Sequence, residues 1–339
     1  MITLDWLQLN CTGRIPETVL AELEVLPYAT RVFKSVARYV EAGDEQFVVA
    51  FNPASSVLDP YTHLIKFNNK LLYSPNLRLK VAKVIEVLNL EFKSLSRLDI
   101  ALDFNKFINN LDPQSLIQHF VTGKFLNVGR ADWHLRGSNS IDNRFQYLRF
   151  GNPASELSVY IYNKTLELQS VKDKPYIRDS WSQQQLDQTV PIWRIEFSMK
   201  GNRLRTVDNT TGQVDKLDIN NIFDPYFMHN FYYSLLDKHF RFVRNDGKGN
   251  ISRMKPVKLF NNKFDKLITF KESEKKESDR SVRIFIKKME EFNSIMRTIK
   301  KNKTGKESAY YPGEQVLENA IELYDLSNFY ERKIRGLFD

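Results

Sequence analysis

Three stretches of this chain pair an apolar set of alternate residues with a charged or hydroxylated set: RLDIALDF (97–104), ELSVYIYNK (156–164) and IWRIEFSM (192–199). Strand side chains alternate with period two. In the first stretch Leu98, Ile100, Leu102 and Phe104 therefore share one face, and Arg97, Asp99, Ala101 and Asp103 the other. In the second, Leu157, Val159 and Ile161 oppose Ser158, Tyr160, Tyr162 and Lys164. In the third, Trp193, Ile195, Phe197 and Met199 oppose Arg194, Glu196 and Ser198. If the apolar faces share one core, the polar faces share one surface.

That surface would suit chemistry on a phosphodiester. Carboxylates from separate strands, here Asp99, Asp103 and Glu196, make a hard oxygen site for Mg²⁺ or Mn²⁺. Such an ion polarises a phosphodiester and offsets charge in the transition state. A tyrosine beside it, Tyr162 or Tyr160, is a candidate nucleophile. A phenol with its ordinary pKa near ~10 needs help at neutral pH. Lys164 lies about 7 Å along the strand from Tyr162 at the usual rise, and its cation would favour the phenolate or steady the phosphate. Asp99 and Asp103 are about 13 Å apart between Cα atoms by the same rise, too far for one ion on a straight strand. One is expected to join Glu196 at the metal while the other holds a basic side chain. Asp99 is favoured, because a mid-strand carboxylate needs a charge partner more than one at a strand end. The plainer alternative is a half-exposed sheet face with cross-strand pairs such as Arg97–Asp99 and Arg194–Glu196.

The elements that must position these residues are legible in outline. Residues 2–10 alternate like a strand. Arg31–Glu41 and Gln46–Phe51 read as a hairpin around Gly43-Asp44, and 62–73 as a further strand. Leu77, Val81, Val84, Ile85 and Leu88 recur at helical spacing, with an end near Asn89. Asp112-Pro113 starts a helix to about Val121, as N-cap and first helical residue. Strands are expected near 128–136 and 143–150, then Gly151-Asn152-Pro153 as a turn. An apolar, aromatic helix covers about 224–240. Strands dominate and helices are interspersed, which implies an α+β fold with a largely antiparallel central sheet and helices on one face.

From 251 the composition changes. Residues 251–310 hold 17 lysines and arginines against 8 acids, an excess equal to the +9 of the whole 339-residue chain. Val282, Phe285, Ile286, Met289, Phe292, Ile295, Met296 and Ile299 form a long helical stripe capped by Asp279. A second amphipathic helix is expected near 315–325. The expected division is thus 1–245, with 1–90 as an N-terminal sub-region, and a basic helical C-terminal appendage, 251–339. A pI near 9.3 favours a polyanionic partner. The single cysteine, Cys11, excludes a disulfide framework and a cysteine zinc site. No stretch approaches the length of an apolar membrane span, and MITLDWLQLNCTG has no signal-peptide pattern. A cytoplasmic protein without membrane contact is expected.

Four segments in order, LDWLQL (4–9), SRLDIALDF (96–104), YLRFGNPASELSVYIYNK (147–164) and WRIEFSMKG (193–201), give the chain a resemblance to rolling-circle replication initiators of the staphylococcal-plasmid type and to the related relaxases of integrative conjugative elements. The resemblance covers 1–245. It implies an R-x-D-x-x-x-D strand, a glycine- and serine-containing stretch leading to a strand ending Y-x-K, and an R-x-E strand. It also implies the activity: a site-specific, metal-dependent nick in one strand of origin DNA, single-stranded or in a hairpin. A 5′-phosphotyrosyl bond forms and a 3′-OH is freed for priming. By position the nucleophile is Tyr162, with Tyr160 as competitor and Lys164 as helper. Glu196 and Asp99 or Asp103 become ligands of Mg²⁺ or Mn²⁺. GNPAS is less basic than the family pattern. The five histidines form no close pair, so the His-hydrophobic-His metal motif of the broader nicking superfamily is absent.

Candidate DNA contacts are Arg97, Arg194, Lys200 and Arg136, together with Lys300, Lys301, Lys303 and Lys306 in the basic loop KKNKTGK. Trp133 and His134 beside Arg136 could stack or clamp a single strand, with Trp133 the more core-like. A host helicase and a second copy of the chain, as a homodimer, are further partners to expect. The host element, whether plasmid, phage or conjugative element, is open. Two other functions compete: a metal-dependent endonuclease that uses water, with Glu196 and Lys200, and an initiator that binds DNA without cutting it.

Overall fold

In a computed structural model of the chain, the residues described are 1–265 apart from 28, 55–57, 129–131, 138–144, 153, 171–172, 208–213 and 248. The chain divides into two units, Met1–Lys271 and Glu272–Asp339. The described residues all lie in the first. The two C-terminal helices expected from the sequence, and Lys300, Lys301, Lys303 and Lys306, lie outside the described residues.

In chain order the elements begin with β1 (Ile2–Gly13), α1 (Glu17–Glu22), β2 (Glu24–Val25), β3 (Phe33–Glu41), β4 (Asp44–Pro53) and β5 (Thr62–Phe67). The short α2 (Asn69–Leu72) and α3 (Leu77–Val87) lead to the long β6 (Leu90–Phe104), α4 (Pro113–Val121) and β7 (Phe125–Asn127). Then come β8 (Trp133–Gly137), β9 (Phe145–Phe150), β10 (Leu157–Asn163), α5 (Lys164–Ser170), α6 (Pro175–Gln183) and β11 (Trp193–Lys200). The hairpin β12 (Arg205–Val207) and β13 (Val214–Lys216) precedes α7 (Pro225–His239), β14 (Phe242–Arg244) and β15 (Pro256–Val257).

Ten strands form one sheet in the order β2-β3-β4-β5-β1-β6-β11-β10-β9-β8. Every pairing in it is antiparallel. The fold is α+β with a large antiparallel sheet. The central strands β6, β11 and β10 align so that Asp103 faces Arg194 and Tyr162 follows in the same row. The next row carries Ala101, Glu196 and Tyr160, and the next Asp99, Ser198 and Ser158. The polar faces of the three stretches do form one surface.

The other face is the core. Leu98, Ile100, Ile195, Phe197, Val159, Ile161, Leu148 and Phe150 are fully buried on it. Each aliphatic side chain taken from water there contributes about 1.5–3 kcal/mol. The helix α7 starts where Asp224 accepts from Tyr226 N–H and Pro225 takes the first turn. It lies on this face, with the Tyr232 hydroxyl donating to Ile195 O at 2.9 Å and its ring edge-on to Phe197. The helix α4 is capped by Asp112, as its sequence implies, and sets Phe120 against Phe150.

Three expectations need adjustment. The strand expected over 62–73 stops at Phe67, because Asn68 accepts from Lys70 N–H and caps α2. Lys164 does not end a strand. Asn163 accepts from Leu166 N–H at 3.0 Å, and Lys164 is the first residue of α5. The division of the chain falls after Lys271 rather than near 251. Phe260 packs edge-on to Phe104 and Phe107, Phe264 stacks on Tyr233, and Ile108 N–H donates to Leu259 O. No helix among the described residues is long and apolar enough to cross a membrane.

Candidate active site

The polar face collects its charges around Arg194. This guanidinium is fully buried and donates four hydrogen bonds. It donates from Nε to Asp103 Oδ1 at 2.6 Å and from Nη2 to Asp103 Oδ2 at 2.7 Å. Nη1 donates to Asp5 Oδ1 at 2.5 Å and Nη2 also to the Tyr73 hydroxyl at 2.8 Å. A planar fork matched to a carboxylate is the strongest pairing a buried arginine can find. Arg194 is therefore a strut within the site, not a contact for DNA as its sequence position suggested.

Asp103 is the carboxylate that holds the basic side chain. Both its oxygens go to Arg194, and Oδ2 also accepts from the indole Nε1 of Trp181 on α6 at 2.7 Å. That helix thereby closes one end of the polar face. Asp99 is likewise buried, and Arg97 takes both its oxygens, Nε to Oδ1 at 3.0 Å and Nη2 to Oδ2 at 2.5 Å. Burial raises the pKa of Asp99, with Arg97 opposing. The two aspartates are thus each engaged by a guanidinium.

A third aspartate carboxylate acts on this face, and it is one that alternation along β1 did not single out. In the pairing of β1 with β6, Leu4 faces Ile100 and Trp6 faces Asp99, so Asp5 is an extra residue. A bulge of this kind re-aims a side chain beside a site. It turns Asp5 toward Arg194, Asn69 and Tyr73. All three of those hydrogen bonds fall on Oδ1, and no described residue takes Oδ2. Burial alone would raise the pKa of Asp5, but Arg194 and Lys164 hold it below the usual carboxylate range.

Glu196 stands one row away. Its Oε2 accepts from the Tyr162 hydroxyl at 2.8 Å, and no described residue takes Oε1. Burial, then the charges of Asp5 and Asp99, push its pKa up to about 8. Burial and Glu196 raise Tyr162 well above a free phenol. Lys164 Nζ lies 5.5 Å from the Tyr162 ring centre and pairs with Glu167 at 2.6 Å. Burial, then Arg194, lowers its pKa. Tyr160 faces Glu196 across the β10–β11 pair, half-buried, with its ring 6.0 Å from Tyr147.

Lys200 faces Arg97 at the far end of the same face. Arg136 is exposed on β8 opposite Tyr147, and His134 faces Arg149. Trp133, expected to be the more core-like, is 44% exposed with one edge on Phe120. Among the described residues no group of three or more histidine, cysteine or acidic side chains is gathered to hold a metal ion. Two carboxylate oxygens, Asp5 Oδ2 and Glu196 Oε1, are the free hard donors. Mg²⁺ takes one or two carboxylates from a protein and completes its shell with water and substrate phosphate oxygens. The two donors are of the right chemical kind for such an ion and lie on strands separated by β6.

No family model matches the chain, and no curated protein matches it. Among solved structures it is similar to the rolling circle replication initiator protein from Geobacillus stearothermophilus, at 16% sequence identity and a TM-score of 0.48, over 76% of this chain and 93% of that one.

Proposed function

We propose that this protein nicks one strand of origin DNA through Tyr162 and so initiates rolling-circle replication. The observation that carries the reading is the hydrogen bond from the Tyr162 hydroxyl to Glu196, with the charges of Asp5 and Asp99 acting on the same carboxyl. A buried phenol whose pKa lies far above neutrality reacts only if a base takes its proton. Glu196 Oε2 accepts that hydrogen bond and takes the proton in its ionised form, which a cation bound beside it would favour. The Tyr162 oxygen then bonds to phosphorus, and the O3′ atom leaves and takes up a proton as a free 3′-hydroxyl. The 5′-phosphate stays on the tyrosine.

Arg194 and Lys164 keep Asp5 ionised, and hydrogen bonds from Arg194 and Tyr73 aim it. Lys164 places a cation beside the phenol. Asp5 and Glu196 would hold Mg²⁺ or Mn²⁺, which when bound supplies positive charge against the phosphodiester oxygens. The relaxase of a conjugative element would perform the same nick. Origin DNA as partner, a host helicase and self-association belong to this reading as well. So does a cytoplasmic setting.

The test is incubation of the full chain with labelled single-stranded origin oligonucleotides and Mn²⁺. A covalent adduct that forms with the unaltered chain, survives in Tyr160→Phe and vanishes in Tyr162→Phe supports the reading. An adduct that instead follows Tyr160 moves the nucleophile one row along the strand. Nicking without an adduct in either variant would mean a water-using endonuclease. Binding without cleavage would leave a DNA-binding protein only.

A further inference from the structure

Two strands from Glu196 on the same face, one indole gathers two cations. Trp6 follows the bulged Asp5 on β1 and faces Asp99 on β6. Lys66 Nζ, from β5, and the Arg97 guanidinium carbon, from β6, each lie 4.1 Å from the Trp6 ring centre. Trp6 Nε1 donates to Gln8 Oε1 at 3.3 Å, which fixes the ring plane. Trp6, Lys66 and Arg97 are all partly exposed. Arg97 has Asp99 as its counter-ion. Lys66 forms no ion pair among the described residues, and its pKa is lowered by burial, with the Arg97 charge adding and Glu45 opposing.

Of the two cations held at the ring, Lys66 is the one whose charge gains from a phosphate, since Arg97 already has Asp99. The Lys66 ammonium covers the indole with no carboxylate of its own among the described residues, so a second π-system can replace it there. A nucleotide with its base unstacked offers both, and duplex DNA keeps its bases out of reach. Trp6 is separated from Glu196 by two strand spacings across the sheet and two residues along it. That makes about 12 Å between Cα atoms, a span of a few nucleotides.

We propose that Trp6, Lys66 and Arg97 form a subsite for one nucleotide of single-stranded DNA: the base takes the place of the Lys66 ammonium over the indole, Lys66 turns to the phosphate, and Arg97 stays on the ring, held by Asp99. The proposal rests on the nicking reading for the path of the strand, but it is tested by binding without chemistry. The probe is a fluorescein-labelled oligothymidine, titrated in EDTA with the full-length Tyr162→Phe chain, with anisotropy as readout. Adding Trp6→Ala weakens binding about tenfold, the ordinary worth of one stacked base, while Trp6→Phe keeps most of the affinity. Lys66→Ala lowers the slope of log affinity against log salt by about 0.7, one phosphate on a single strand. Neither change alters the affinity for a duplex of equal length. Unchanged single-strand binding in Trp6→Ala overturns the subsite, as does an equal loss on duplex. Should the parent chain bind no single strand at all, the subsite falls. The nicking reading falls separately if the unaltered chain gives no adduct and no cleavage on any origin oligonucleotide.

Discussion

Glu196 and Asp103 are both acidic residues on one sheet face, yet their surroundings give them opposite duties. Glu196 keeps its proton to about pH 8 because burial and two neighbouring acids oppose its charge. Unfolded, the same carboxyl releases its proton in the ordinary glutamate range. Between these two values the folded chain binds more protons than the unfolded one, so this group's contribution to stability falls as pH rises. In EDTA, the unaltered chain should lose stability relative to Glu196→Gln from about pH 5 to pH 8, by at most about 1.4 kcal/mol per pH unit. Urea midpoints at matched pH values check this; parallel pH curves for the two proteins would contradict it. Asp103 is paired twice with Arg194 and bonded to Trp181. Asp103→Asn should therefore cost about 3–5 kcal/mol in urea unfolding, the usual result of breaking a buried ion pair. Metal affinity of the folded variant should change little, since Asp103 offers no free oxygen.

At the scale of elements, the bulge in β1 does most to build the site. Its trace is present in the sequence. The buried residues of β1 run Leu4, Leu7, Leu9 and Cys11, a step of three followed by steps of two. Strict alternation from 2 to 10 passes over that slip, and with it over Asp5. The faces of β6, β10 and β11 were readable because those strands keep period two without interruption through the site. Which polar residues meet was not readable, since Asp5 and Arg194 lie 189 positions apart. The start of α5 at Lys164 was likewise hidden, as it depends on the Asn163 side chain turning back to Leu166. The bulge makes a sharp prediction. Leu4 already faces Ile100 and Trp6 already faces Asp99. Deleting Asp5 should therefore mend the ladder and leave every other pairing in register. Hydrogen exchange of β1 amides should stay protected, while adduct formation drops at least as far as in Asp5→Asn. Lost protection along β1 would show that the extra residue is needed for the fold itself.

At the scale of the whole molecule, charge is placed where the sheet does not carry it. The net excess of +9 is matched by residues 251–310 alone, most of which lie beyond the described unit. The sheet face around Glu196 mixes acids with cations. Such a face cannot also supply strong nonspecific attraction for a polyanion, because Arg97, Arg194 and Lys164 are already paired with Asp99, Asp103, Asp5 and Glu167. Affinity for the length of a strand must then come largely from elsewhere, and KKNKTGK at 300–306 is the densest basic run available. If Lys300, Lys301, Lys303 and Lys306 each neutralise one phosphate, replacing all four with alanine should lower the single-strand salt slope by about 3. Lys66→Ala removes only about 0.7 by the same rule. Affinity should fall nearly evenly across oligonucleotide sequences, since phosphate contacts carry no base information. The adduct yield at saturating DNA should hold, because no group at Tyr162 or Glu196 has changed. A slope that stays constant would make the run a solvated surface and leave Lys66, Arg97 and Arg136 as the cations that hold the strand.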